Sequence, residues 1–147
     1  MSAEVSGDVT GAGLRAGDTV TFQAPLVTRS TLALYAGASG DHNPVHIDID
    51  ECRAVGIPDV FAHGMLSMAY LGRLLTDWVD QRRIRSFRVR FCAITPVRVV
   101  PTCTATVADV VDGRAHVDLR VKLPDGTVTL LGSADVDADP QPALPTR

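Results

Sequence analysis

The chain has 147 residues, enough for one domain with a real core and too few for two ordinary ones. It is 46% hydrophobic and 21% charged, a globular balance that excludes disorder for the bulk of the chain. A net charge of −3 offers no basic footprint for nucleic acid, no apolar run is long enough for a membrane span, and MSAEVSGDVT has neither region of a secretory signal.

Residues 1–12 are expected to form a flexible N-terminus, part of an aperiodic stretch rich in Gly, Ala and Ser that runs to about residue 17. Thr19 to Val27 reads as a strand, with Val20 and Phe22 on one face. Thr28 suits the N-cap of a short helix through TLALYAGA, which must end near Ser39-Gly40 because glycine supplies the left-handed stop. SGDHNPVHIDID is a loop, since Asn43 before Pro44 is pushed toward extended backbone. Asp48 or Asp50 then suits the cap of a short helix through ECRAV.

From Val60 to Val79 apolar residues fall on nearly every side, and the only charges are Arg73 and Asp77. A helix apolar all round is a buried one, and at ~1.5 Å per residue this one would run ~30 Å, the width of a small domain. Strands follow. Arg85 to Phe91 and Thr102 to Val111 alternate, Asp112-Gly113 signals a hairpin, and Ala115 to Leu123 alternates again. Pro124-Asp125-Gly126 marks another turn before a last strand, Val128 to Val136. Residues 137–147 carry three prolines and are expected to be a disordered tail, leaving 13–136 as a single domain. One strand, a long buried helix and an antiparallel meander predict an α+β domain with the sheet wrapped round the helix. Cys52, Cys92 and Cys103 form no CxxC pair and read as buried thiols in a reducing cytoplasm.

Three of the four histidines lie between residues 42 and 63, in Asp41-His42-Asn43-Pro44-Val45-His46 and His63-Gly64. Asp41, His42, His46 and Asp48 have the composition of a ligand set. Pro44, however, breaks the helix that would put His42 and His46 on one face, so no metal site is read here. Asp41 and His46 lie five apart across a proline-containing turn, so their side chains can converge. Such a pair suits acid–base work on water, which asks for no nucleophile; the chain has no G-x-S-x-G, and no cysteine lies in this patch. The plainer alternative is a turn-capping Asp41 and a satisfied, partly buried His46. Gly64 at a helix start would let a ligand reach free N–H groups at the positive dipole end; its plainer alternative is a packing glycine beside a structural His63.

YAGASGDHNPVHID, residues 35–48, followed by AHGML, residues 62–66, resembles the MaoC-like, R-specific enoyl-CoA hydratase (hydratase 2) family. RAGDTVTF, residues 15–22, is similar to that family's first strand, and the resemblance covers about residues 13–136. It implies a hot-dog fold, a long central helix wrapped by a five-stranded antiparallel sheet. It implies a trans-2-enoyl thioester substrate, usually on coenzyme A, and reversible, R-specific addition of water. No separate cofactor is implied, since coenzyme A is part of the substrate. Asp41 and His46 match the catalytic pair, Gly64 the N–H that holds the thioester oxygen, and Asn43 a site-shaping asparagine; His63 shapes the site beside Gly64. A serine found further along the helix in some relatives falls on Gly72 here, which weakens the support of Asp41 or opens room for a bulky acyl group.

Six arginines lie between residues 82 and 98. Most are read as a solvated strand face, with Arg88 and Arg90 the ones assigned to coenzyme A phosphates. A lone five-stranded sheet leaves two unpaired edges, so a homodimer is expected, or a heteromer with a related hot-dog subunit. The rival functions are an acyl-carrier-protein dehydratase, a thioesterase and a non-catalytic accessory subunit. A thioesterase would need an acid on the long helix, where only Asp77 is available.

Overall fold

A computed structural model describes residues 13–140. Five strands, β1 (Thr19–Gln23), β2 (Ile84–Phe91), β3 (Thr102–Val111), β4 (Arg114–Lys122) and β5 (Val128–Asp137), form one antiparallel sheet in the order β1-β3-β4-β5-β2. Helices α1 (Arg29–Ser39) and α2 (Ile49–Ala54) precede the long helix α3 (Gly64–Trp78). The sheet curls round α3 in the hot-dog arrangement. Leu71, Leu74, Leu75 and Trp78 of α3 meet Val20, Phe22, Val107, Val117 and Leu130 from the strands in one core. Strand β4 shows why it forms: Ala115, Val117, Leu119 and Val121 are buried, while His116, Asp118, Arg120 and Lys122 between them are exposed.

The turn chemistry holds as read. Asp112 and Gly113 have φ of 50° and 73°, the paired left-handed residues of a tight hairpin. The Thr28 side chain accepts the Thr31 N–H at 3.0 Å, and Gly40, at φ 74°, closes α1 by donating to the Ala36 carbonyl at 3.0 Å. Asp48 rather than Asp50 caps α2, accepting from the Asp50 and Glu51 N–H groups.

Several expectations need correction. Helix α3 starts at Gly64, not Val60, because Ala62 donates to the Thr95 carbonyl and Phe61 bridges Pro96, which keeps 60–63 extended. Nor is α3 buried all round: Met65, Ala69, Arg73, Thr76 and Asp77 are exposed. Strand β1 ends at Gln23, ahead of Pro25, which has no N–H for a ladder. The expected tail begins too early, since Asp137 completes β5 and Ala138 is buried, bonded to Gly113 and Leu14. Leu14 is likewise a core residue and Gly17 bonds to Val107, so the ordered fold starts well before residue 17. The remaining expectations for the two ends, 1–12 and 141–147, lie outside the described residues. Cys52 and Cys103 are buried, the latter's thiol pushed up to about 12 by burial, but Cys92 is exposed. Among the described residues no helix is long and apolar enough to cross a membrane.

Candidate active site

A second cluster, Val27, Leu32, Cys52, Val60, Ala62 and Leu66, seats α1 and α2 over the start of α3. The loop between α1 and α2 is thereby pressed against the N-terminus of the long helix. Within it, the Asp41 N–H donates to Ser39 Oγ at 3.2 Å, and Asp41 Oδ1 accepts the Asn43 N–H at 3.3 Å. Asn43 Oδ1 then accepts the Val45 N–H at 3.3 Å and caps the short 3-10 turn Pro44–His46. Asn43 thus shapes the loop. Pro44 stands at the start of that turn, where a missing N–H costs nothing.

The turn folds His46 inward until only 8% of it is exposed. Its Nδ1 lies 2.8 Å from the Phe61 carbonyl, and its ring meets the Phe61 ring edge-on at 5.0 Å. A carbonyl only accepts, so Nδ1 donates and the neutral ring keeps its lone pair on Nε2. His63 stacks on His46, ring centroids 4.0 Å apart and planes 28° apart, and its Nε2 donates to the Asp41 carbonyl at 3.1 Å. Polar side-chain atoms of Asp41, His46 and His63 all lie within 4.8 Å of one another. This is the one group of three or more His, Cys, Asp or Glu side chains so gathered among the described residues. Two imidazoles stacked this way hold their lone pairs in nearly parallel planes about one ring spacing apart, a poor fit to a tetrahedral or octahedral ion.

Gly64 begins α3 beside His63, whose side chain makes no cap hydrogen bond. The first N–H groups of the helix have no intrahelical acceptor, and here they end at an exposed glycine. A Cβ on Gly64 would stand 2.8 Å from the Phe91 ring, so a larger residue there would push that ring aside. Phe91, Phe61, Ala62, Gly64, Ser67 and Thr95 line a cavity of about 330 Å³. A larger hollow of about 750 Å³ lies on the outer face of the sheet over Thr21, Thr104 and Arg120, with no histidine and no helix end on its walls. Size does not pick the site here; the unpaired polar groups do.

The structure therefore gathers Asp41, Asn43, His46, His63 and Gly64. It does not bring Arg88 and Arg90 to them. Both are exposed on the outer side of β2, and Arg88 lies 3.7 Å from Asp135, while Phe91 reaches Gly64 from the inner side. Three neighbouring arginines have structural partners. Arg82 pairs with Asp80, Arg85 with Asp137, and buried Arg83 donates to the carbonyls of Asp137 and Ala138. Ser67 gives Asp41 no support, because its hydroxyl faces Thr95 Oγ1 at 3.4 Å. Gly72 opens no empty space, since the Phe87 ring lies 3.5 Å from where its Cβ would stand. Tyr35, Phe61, Phe91 and Thr95 escaped the sequence reading, being ordinary core types whose role comes from contacts distant in the chain.

Against known proteins, a family model described as MaoC like domain matches residues 12–128. An (R)-specific enoyl-CoA hydratase of Rhodospirillum rubrum is 27% identical over 126 residues, 84% of each chain. A 3-hydroxyacyl-thioester dehydratase Z of Mycobacterium tuberculosis is 30% identical over 115 residues, 74% of each. The yeast Saccharomyces cerevisiae fatty acid synthase subunit beta is 28% identical over 114 residues, and this chain spans only 6% of its length. In three dimensions the unliganded R-hydratase PhaJ1 of Pseudomonas aeruginosa superposes with a TM-score of 0.78 at 22% identity, covering 91% of this chain and 92% of that one. A chain of the ChsH1-ChsH2 complex of Mycobacterium tuberculosis gives 0.69 at 21%, covering 88% and 98%. The structural matches carry the hot-dog fold, and the sequence matches carry the lineage: this chain belongs to the MaoC-like family of hydro-lyases.

Proposed function

We propose that this chain adds water across the C2–C3 double bond of a trans-2-enoyl-CoA to give the R-3-hydroxyacyl-CoA, or runs the reverse dehydration. The observation that carries this is the meeting of Asp41 and His46 beside the uncapped helix start at Gly64. A water between the Asp41 carboxylate and His46 Nε2 would meet an acceptor on each side. One of the pair takes its proton as the oxygen attacks C3. The double-bond electrons move toward the thioester oxygen, where the Gly64 N–H stabilises the growing charge, and the pair returns a proton to C2. Both groups stand on one side of the substrate, which gives syn addition. Coenzyme A is part of the substrate, and no further cofactor enters.

Exposed Arg88 and Arg90 are assigned to the coenzyme A phosphates, which the guanidinium fork suits. The protein acts in the cytoplasm as a homodimer, or as a heteromer with a related hot-dog subunit. Support for pairing comes from the open edges at β1 and β2 and from exposed Met65, Phe91 and Ile94. Light scattering should then give about twice the 15.6 kDa chain mass. A second reading is dehydration of a 3-hydroxyacyl thioester on an acyl-carrier protein; the mycobacterial relative, called a 3-hydroxyacyl-thioester dehydratase, supports the dehydration and names no carrier. A thioesterase fits less well, because the only acid on α3, Asp77, pairs with Arg73 at 3.4 Å at the far end.

The decisive assay follows the ultraviolet absorbance of the conjugated enoyl thioester across short, long and steroid-type enoyl-CoAs. Hydration of at least one class to the R product is expected. An S product, or no turnover of any coenzyme A thioester alongside turnover of a carrier-protein one, would replace this assignment.

A further inference from the structure

His63 stands where the parts of the site meet, and the reaction as written gives it no proton to move. It is 1% exposed. Tyr35 of α1 covers one side of its ring, centroids 4.9 Å apart, and His46 stacks on it at 4.0 Å. Its Nε2–H donates to the Asp41 carbonyl at 3.1 Å. In the neutral ring the lone pair is then on Nδ1, which has no partner among the described residues. At the N-cap of α3 its own carbonyl accepts the Leu66 N–H at 3.1 Å, yet its side chain caps nothing. A serine or aspartate there would bond the first N–H groups of the helix. This imidazole turns away to Asp41 and leaves the Gly64 and Met65 N–H groups to a ligand.

We propose that His63 is a positioning residue: one ring fixes the Asp41 backbone, one face of His46 and the start of α3, so that the acid–base pair and the Gly64 N–H keep a single geometry. The inference rests on the hydratase reading and assigns within it. Asp41 is exposed and follows a left-handed glycine. Its bonds to Ser39 and Asn43 are local, two residues away on either side. The bond from His63 ties it to an element twenty-two residues on. A leucine or phenylalanine would fill the same space without that bond. The ring must stay neutral while His46 cycles, because a second cation stacked on His46 would oppose its protonation. The groups facing His63 are Asp41, His46 and Tyr35. Burial holds the His63 imidazolium form down, the bond to the Asp41 carbonyl opposes this, and a charge on His46 adds to it.

Two variants of the full chain, His63→Ala and His63→Gln, separate the roles, with the best enoyl-CoA as substrate. Glutamine can keep an N–H near the Asp41 carbonyl but has no ring face. In His63→Ala, kcat should fall at least about tenfold while KM moves less than about threefold, the pattern of a group acting after binding. His63→Gln should recover much of kcat. Wild-type kcat in a folded His63→Ala would overturn the proposal, as would a folded His63→Gln that recovers none of the loss. Histidine nitrogen-15 spectra of the wild type need no substrate and stand apart from the hydratase reading. A His63 ring still in its neutral Nε2–H form at a pH where a free imidazole is protonated supports the inference even if no thioester turns over, and a doubly protonated ring near neutral pH defeats it.

Discussion

Two clusters among the described residues join histidine to carboxylate, and the better-bonded one is not the candidate site. On the outer face of the sheet, His116 Nδ1 lies 2.7 Å from Asp135 and Ser86 Oγ donates to the same carboxylate at 2.6 Å. Arg88 and Asp109 stand at the rim, 3.7 and 3.8 Å from Asp135 and His116. By residue type this is a serine, a histidine and an aspartate. But the serine bonds the aspartate and not the histidine, and the cluster satisfies itself. Around Asp41 and His46 the bonds are longer, 3.1 to 3.3 Å at Asp41. His46 keeps a free Nε2, the Asp41 carboxylate keeps open lone pairs, and the helix start keeps free N–H groups. Reactivity follows from polar capacity left over, not from the shortness of the bonds already made.

The largest effect that tests this contrast comes from removing the unsatisfied groups. Asp41→Asn and His46→Gln should each lower kcat by at least ~10²-fold, the low end for a positioned acid or base, with unchanged circular dichroism. Near-wild-type turnover by either would erase the difference between the clusters. Next, Gly64→Ala drives a methyl into the Phe91 ring and should cost roughly tenfold or more in kcat, as for a displaced oxyanion donor. Adding Phe91→Ala should return part of the loss by clearing the ring. A double variant worse than the single one would mean that Phe91 does more than fill space.

The Ser86, His116 and Asp135 part of the outer cluster should answer to pH and not to substrate. The Ser86 hydroxyl first, then His116, hold the Asp135 carboxyl below the usual carboxylate range. A lowered folded value contributes stability above the ordinary pKa and loses it as pH falls through the folded one. Asp135→Asn should therefore lower stability slightly at neutral pH, by less than about 1 kcal/mol, read as a small drop in Tm, and the gap should close in acid. A gap that persisted in acid would point to packing instead. Smallest of all, His116→Ala should leave kcat/KM within about twofold. A larger loss would make His116 itself a participant in binding.

The strands, turns and caps were legible because each rests on a local rule. Alternation marks β4, Asp112-Gly113 marks its hairpin, and Thr28 and Asp48 mark the helix starts. Asp41, His46 and Gly64 were legible through motif spacing. Contacts that close over long distances were not. Nothing in AHGML says that His63 will turn back to a carbonyl at residue 41, or that Phe91 will lie across Gly64. The start of α3 was misplaced for a related reason: Val60 to His63 is continuous with the helix's apolar run, but its backbone is held by Thr95 and Pro96, thirty-odd residues later. Arg83 looked like one more surface cation until the end of β5 supplied two carbonyls for it.

The stretch from Phe61 to Gly64 bears on manufacturing tolerance. Its first carbonyl sets the tautomer of His46, and its last N–H is the one proposed to hold the substrate's oxygen. Four consecutive residues thus fix the distance between His46 and Gly64. That distance cannot drift by separate errors at separate places, because any displacement carries both ends along. The loop at Thr95 and Pro96, which braces the stretch from behind, is then a single adjustment screw. Substitutions there should shift base and oxyanion donor together, so their kinetic effects should combine less than additively with those at His46 and Gly64.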